Sequence, residues 1–261
     1  MRDLRLTLVQ PNTHWQTPLT NHRLLEGMIE KSGKESDLIV LPEMFTTGFT
    51  MDASSNSEEM NGATHAWLIE MANKYSSHIC GSIIIQNKGK FFNRLLWVSP
   101  DGEHQSYDKR HLFRMANEQK YYSSGDKKLI IQIDQWRICP LICYDLRFPV
   151  WSRNRDDYDL LIYVANWPAP RQSAWRSLLP ARAVENLCYS VGVNRVGTDG
   201  NKVEYLGDSM VADYFGNIVL DANNKEGVFN TKISLEKLRL YREKFPAWKD
   251  ADNFTLLNTA N

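Results

Sequence analysis

The chain has 261 residues, 43% of them hydrophobic, which is ample for a sizeable core, and its 31 basic residues balance 31 acidic ones. That balance, with no long block of one sign, argues against nucleic acid or an anionic membrane as a partner. Its four cysteines (Cys80, Cys139, Cys143 and Cys188) are too few for a disulfide framework at this length and lack the spacing of a zinc site, so free thiols, no metal and a reducing cytoplasmic location are expected.

The N-terminal MRDLRLTLVQP passes directly into an alternating strand without a secretory apolar region, and no stretch approaches the apolar length of a membrane span. Thr17 and Pro18 supply an N-cap and a first-turn proline for a helix that carries Leu24, Leu25, Met28 and Ile29. A strand follows at DLIVLP from residue 37, and then a helix capped by Thr64, with Trp67 and Met71 four residues apart. Strand character recurs in HICGSIIIQ from 78, NRLLWVS from 93, KLIIQI from 128, ICPLIC from 138 and DLLIYVAN from 159. A helix from about Ser173 to Leu187 carries Trp175, Leu178, Leu179 and Ala183, and Pro180 inside it should kink or split it. YSVGVNRVG from 189 and NIVLDA from 217 complete the strands, and KLRLYREKFPAWKDADNF reads as a polar tail with spaced aromatics.

Strands alternating with helices point to a layered α/β fold. SDLIVLPEMF and YDLLIYVANWP share one pattern, an Asp, an apolar strand and a turn containing Pro, which suggests two related halves. No linker or low-complexity segment interrupts the chain, so residues 1–261 are expected to form one domain.

Three chemistry-bearing residues stand where an apolar run gives way to a turn. Cys143 closes WRICPLIC, where a nucleophile on a strand-to-turn bend meets substrate and the backbone N–H groups of the bend face a developing oxyanion. A thiol with an ordinary pKa of about 8.5 needs a base or cation beside it. Glu43, directly after LIVLP at the C-terminal end of a strand, is the candidate general base. Lys109 in HQSYDKRHLF is the candidate cation, followed by Glu118 in RMANEQKYY. The ordinary alternatives are a core cysteine, a capping glutamate and a solvated lysine, and Cys80, Cys139 and Cys188 are read as core. His111, two residues beyond Lys109, keeps a Cys–His hydrolase open.

LPEMF around Glu43, YDKRHLF around Lys109 and ICYDLRFP around Cys143, in that order, resemble the three catalytic boxes of the nitrilase superfamily of carbon–nitrogen hydrolases. ANWP at 165–168, ARAVENLCYSVGVNRVG, GDSMVAD and the FPAWKDADNF tail extend the resemblance over nearly the whole chain, with LPEMFTTGF and the tail most similar to the ω-amidase branch. The resemblance implies a four-layer α-β-β-α sandwich, paired as a homodimer or higher homo-oligomer with a tail from about residue 235 to 261 at the interface. It also implies cofactor-free hydrolysis of the terminal amide of 2-oxo acid amides such as 2-oxoglutaramate or 2-oxosuccinamate. Cys143 would be the nucleophile, Glu43 the base and acid, Lys109 the oxyanion cation with the Tyr144 backbone N–H, and Glu118 a positioning residue. Arg147, Arg171 and Arg176 are candidates to hold the free carboxylate of such a substrate, because a guanidinium pairs with it through two donors. Phe45, Trp167 and Trp175 are expected as apolar walls. The rivals are an amidase for N-carbamoyl amino acids or aliphatic amides, a non-catalytic binding protein on this fold, and a redox thiol paired with Cys139.

Overall fold

The computed structural model describes residues 2–32 and 35–256. The first half runs β1 (Leu4–Gln10), α1 (Pro18–Ser32), β2 (Leu38–Val40), a one-turn α2 (Ala53–Asn56), α3 (Ala63–Tyr75), β3 (His78–Asn87), β4 (Lys90–Val98) and β5 (His104–Asp108). The second runs β6 (Ile131–Ile133), β7 (Trp136–Ile142), a short α4 (Pro149–Ser152), β8 (Leu160–Val164), α5 (Gln172–Asn186) and β9 (Tyr189–Val193). After these come a hairpin of β10 (Val196–Thr198) and β11 (Glu204–Leu206), then β12 (Met210–Ala212), β13 (Ile218–Asp221), β14 (Gly227–Ile233) and α6 (Leu235–Lys244).

The strands form two six-stranded sheets, ordered β14-β1-β2-β3-β4-β5 and β13-β12-β9-β8-β7-β6. In the first, β1, β2 and β3 are parallel and the flanking strands antiparallel. In the second, β7, β8 and β9 play the same part, with β6 and β12 antiparallel on either side. The repeated Asp–strand–Pro pattern therefore falls on equivalent strands, β2 and β8, and the aspartates do the same work. Asp37 accepts from the Arg5 backbone N–H at 2.8 Å and from its guanidinium at 2.7 Å. Asp159 accepts from the Arg137 backbone N–H at 3.0 Å and from its guanidinium at 2.9 Å. Each stitches the start of one parallel strand to its neighbour.

Alternation along the strands creates the layers. Leu4, Leu6 and Leu8 of β1 and Leu38 and Val40 of β2 face the second sheet, in one cluster with Ile138, Leu160, Ile162 and Val191. Val9, Ile39 and Leu41 face outward onto Leu25 and Ile29 of α1 and Trp67, Leu68 and Met71 of α3. The second sheet is covered on its far side by Trp175 and Leu179 of α5, which completes the α-β-β-α sandwich. Burying a side chain of this size contributes roughly 1.5–3 kcal/mol.

The structure moves one expected cap, leaves the helix at Pro180 unsplit, and gives the tail its packing partner. Helix α3 is capped at Gly62, and Thr64 lies inside its first turn, bonded through its backbone N–H and hydroxyl to Glu58. Helix α5 runs unbroken through Pro180, with buried anchors on both sides of the proline (Trp175, Leu179, Ala183 and Asn186) holding it to the sheet. The polar tail contains α6, which inserts Leu235 and Leu238 into the core. The last five residues of the expected interface tail, 257–261, lie outside the described residues.

Asp159 is buried, and although burial works against its charge, bonds from Arg137 and the Arg242 guanidinium at 2.7 Å hold its carboxyl below the ordinary range. A carboxyl lowered by folding stabilises fully above its unfolded pKa and loses that contribution as the pH falls through its folded one. Asp159→Asn should therefore cost about 3 kcal/mol at neutral pH. In urea unfolding the gap from the unaltered protein should close as the pH drops below about 4.

Candidate active site

Glu43, Lys109, Cys143 and Asn166 each stand just past the end of a strand: β2, β5, β7 and β8 respectively. The two sheets meet face to face, so these four chain ends converge at one edge of the sandwich. Two of the turns are conformationally costly. Cys143 has φ of 44° and Met44 a φ of 42°, the left-handed region that side chains other than glycine seldom occupy. The Met44 turn is held by the Ser82 hydroxyl, which accepts from the Met44 N–H at 2.9 Å.

Asp145 holds the Cys143 turn. Its Oδ2 accepts from the Ile142 N–H at 3.1 Å and the Tyr107 hydroxyl at 2.7 Å. Its Oδ1 accepts from the His111 N–H at 3.0 Å and lies 2.8 Å from His111 Nδ1. One carboxylate thus ties the cysteine turn to the loop that carries Lys109. His111 is engaged by this bond and by stacking on Phe148 at 3.8 Å, so its ring serves the Asp145 junction instead of acting as a base for Cys143.

The centre is a closed charge cluster. Lys109 Nζ donates to Glu43 Oε1 at 2.8 Å and to both oxygens of Glu118 at 3.0 Å, and all three side chains are excluded from solvent. Burial opposes the Lys109 ammonium, but the charges of Glu118 and Glu43 outweigh it and push its pKa up, so it is a permanent cation. Burial raises the Glu118 carboxyl, against the pull of Lys109, and Glu118 is fixed by the Phe113 N–H at 2.6 Å. Glu43 Oε2 accepts from the Asn166 N–H at 2.8 Å, and its backbone carbonyl from Asn166 Nδ2 at 2.6 Å. The Cys143 thiol contacts the Asn166 carbonyl at 3.9 Å. Burial first, then the Glu43 charge, raise its pKa well above normal against the opposing pull of Lys109, so it rests as a neutral thiol beside a carboxylate. Among the described residues no cluster of three or more His, Cys, Asp or Glu side chains is arranged to hold a metal.

Cys143 and Lys109 open onto a cavity of about 940 Å³, walled by Phe49, Phe113, Tyr144, Trp167 and Tyr205 among others. A buried thiol, a carboxylate that can take its proton and a fixed cation at the floor of a cavity are the parts that acyl transfer through a thioester needs.

The carbon-nitrogen hydrolase family model matches residues 5–243. This chain belongs to the carbon-nitrogen hydrolase family. The hydrolase is 47% identical to omega-amidase YafV of Escherichia coli strain K12 over 98% of its own length and all of the relative's. It is 31% identical to the 2-oxoglutaramate amidase of Bacillus subtilis over 94% and 96% of the two chains. It also superposes with a TM-score of 0.96 on XC1258 of Xanthomonas campestris, a CN-hydrolase superfamily protein solved with an arsenic adduct in its active site. That protein is 46% identical, over 98% of this chain and 100% of the other.

Of the residues singled out by sequence, Lys109 and Cys143 lie at the cavity floor with Glu43 and Glu118 bonded to Lys109, and Tyr144, Arg147, Trp167 and Arg171 line its walls. The Arg147 guanidinium lies 5.1 Å over Trp167 and that of Arg171 5.2 Å over Phe113. Arg176 is elsewhere, paired with Asp208 at 2.7 Å and Asp221 at 2.6 Å. Phe45 and Trp175 do not line the cavity. Each covers a strand glycine on the outer face of its sheet, where a Cβ would meet Phe45 at 2.7 Å from Gly81 and Trp175 at 2.6 Å from Gly192. Asn93 and Asn166 escaped the sequence reading. Asn166 was within reach, because ANWP occupies in the second half the place that LPEMF occupies in the first.

Cys143 is 8% exposed and the other three cysteines are fully buried. Iodoacetamide should therefore modify the native hydrolase at one thiol, and Cys143→Ala protein at none until it is unfolded. Mass-spectrometric peptide mapping checks this, and early labelling of Cys80, Cys139 or Cys188 would contradict it.

Proposed function

We propose that this hydrolase cleaves the terminal amide of small 2-oxo dicarboxylic acid monoamides, releasing ammonia and the 2-oxo acid through a thioester on Cys143. The single observation that carries the chemistry is the Lys109 ammonium locked between Glu43 and Glu118 beside the Cys143 thiol. The names of its relatives, omega-amidase and 2-oxoglutaramate amidase, support the substrate class.

Glu43 takes the thiol proton as the sulfur attacks the amide carbon. Lys109 and the Tyr144 backbone N–H stabilise the oxyanion, a kind of contact whose loss typically costs about 3–4 kcal/mol of barrier. Glu43 passes the proton to the nitrogen, ammonia leaves and the thioester remains. Water that gives a proton to Glu43 then attacks the thioester, and the thiol recovers that proton as the acid departs. Glu118 keeps Lys109 in place. At the mouth of the cavity Arg147 and Arg171, each oriented by an aromatic ring, bind the far carboxylate, and Trp167 walls the chain between. The reading carries with it a homodimer in the cytoplasm, with residues from about 235 onward at the subunit contact. The exposed Phe215, Leu240 and Phe245 support that surface as the contact.

Ammonia release from 2-oxoglutaramate, 2-oxosuccinamate, glutamine, an N-carbamoyl amino acid and a simple aliphatic amide tests the proposal. Release should be confined to the 2-oxo acid amides, vanish in Cys143→Ala and fall roughly 10²–10⁴-fold in Glu43→Gln. Turnover confined to another member of the panel would replace the substrate, and full turnover by Cys143→Ala would end the mechanism.

A further inference from the structure

Asn93, the fourth residue of β4, is fully buried and touches the centre of the charge cluster. Its Nδ2 donates to Glu43 Oε1 at 2.7 Å, with Glu118 Oε1 at 3.5 Å. Its backbone carbonyl accepts from the Lys109 N–H at 3.0 Å, so the same residue positions the lysine's main chain. Its Oδ1 has no partner among the described residues. The packing of β4 gives no reason for this choice. A buried amide oxygen without a donor is costly, and an apolar β-branched residue suits an interior strand better. What the amide supplies is a neutral donor aimed at Glu43.

That donor answers a shortage on Lys109. An ammonium has three N–H bonds, and here three contacts, one to Glu43 and two to Glu118, are directed at the glutamates. To meet an oxyanion in the cavity, Lys109 must redirect one of them. If Glu43 lost its lysine contact with nothing in its place, it would turn away while it carried the thiol proton. A second cation would hold it, but would also make it too weak a base to take that proton.

We propose that Asn93 is a positioning residue of the reaction, holding Glu43 through a neutral N–H while Lys109 turns to the oxyanion. The proposal rests on the cysteine-hydrolase reading above, with Glu43 as the base. The ionisable groups facing Glu43 are Lys109, Glu118 and Cys143, with the phenols of Tyr122 and Tyr205 further out.

The test pairs two variants with two readouts. Asn93→Asp keeps the shape and sets a second carboxylate against Glu43, so the two must share a proton. The acid limb of kcat/KM for 2-oxoglutaramate should move up by roughly one pH unit or more. The pH profile of Cys143 modification by iodoacetamide should move the same way. Asn93→Ser keeps a shorter neutral donor, and its kcat should fall roughly ten- to hundredfold with KM nearly unchanged. A folded Asn93→Asp protein with unaltered pH profiles in both assays overturns the proposal. If that variant does not fold, a kcat for Asn93→Ser within about twofold of the unaltered protein overturns it as well. If the unaltered protein does not hydrolyse 2-oxoglutaramate, the substrate assignment falls while the iodoacetamide profile still decides the role of Asn93.

Discussion

A lysine ammonium shut away from water between two carboxylates is the constraint that the rest of this hydrolase obeys. Lys109, Glu43 and Glu118 have no solvent to share their charge, so each must find its partners within the protein. Such a cluster is poor value as a source of stability, since desolvating three charges costs about what their attraction returns. It is better understood as a function that the fold supports. The Phe113 N–H, the Asn166 N–H and the Asn93 amide supply the donors that the lysine cannot. The strands bring those donors to within hydrogen-bonding distance, and the strained turns at Met44 and Cys143 aim the carboxylate and the thiol.

The duplicated architecture explains how so many groups reach one point. Each half builds a sheet around three parallel strands, begins its central strand with an aspartate clamped on an arginine, and ends that strand at the site. Because the sheets pack face to face, the end of β2 and the end of β8 lie together. Glu43 and Asn166 then hydrogen-bond across the seam through both backbone and side chain. Glu43, the proposed base, is thus supplied by one half and held by the other. Cys143 likewise comes from the second half and Lys109 from the first, and Asp145 joins the two loops. Neither half contains the chemistry alone.

What the sequence revealed and what it hid follow from the same geometry. Strands with continuous apolar runs were legible because they are buried on both faces, as β8 and β9 are. β5, HQSYD, buries only Tyr107 and is a strand only because β4 lies beside it. β14 and α6 were obscured by their polar residues, and of their hydrophobic side chains Ile233, Leu235 and Leu238 are the ones fully buried in the core. Phe45 was misplaced for a sharper reason. The left-handed turn at Met44 sends the chain back over the outer face of its sheet, so a residue two positions from Glu43 points away from the cavity. Sequence distance from a catalytic residue says little across such a turn. The glycines of HICGSI and SVGVN were the visible sign that large rings, Phe45 and Trp175, needed space there.

The charge arrangement also bears on how the proposed reaction would start and finish. With the thiol neutral and the Lys109 ammonium already engaged by Glu43 and Glu118, the floor offers no spare positive charge to an anionic substrate. Arg147, Arg171 and Lys202 line the same cavity, and the proposal seats the substrate's own carboxylate on the two arginines. An amide substrate then presents its neutral end to the floor and its charged end to the cations. Hydrolysis removes that distinction, because the product has a carboxylate at both ends. The new one is formed next to Glu43 and Glu118 while the old one is still held at the mouth. The proposed product thus sets a second carboxylate beside Glu43 and Glu118, where the amide substrate set a neutral group.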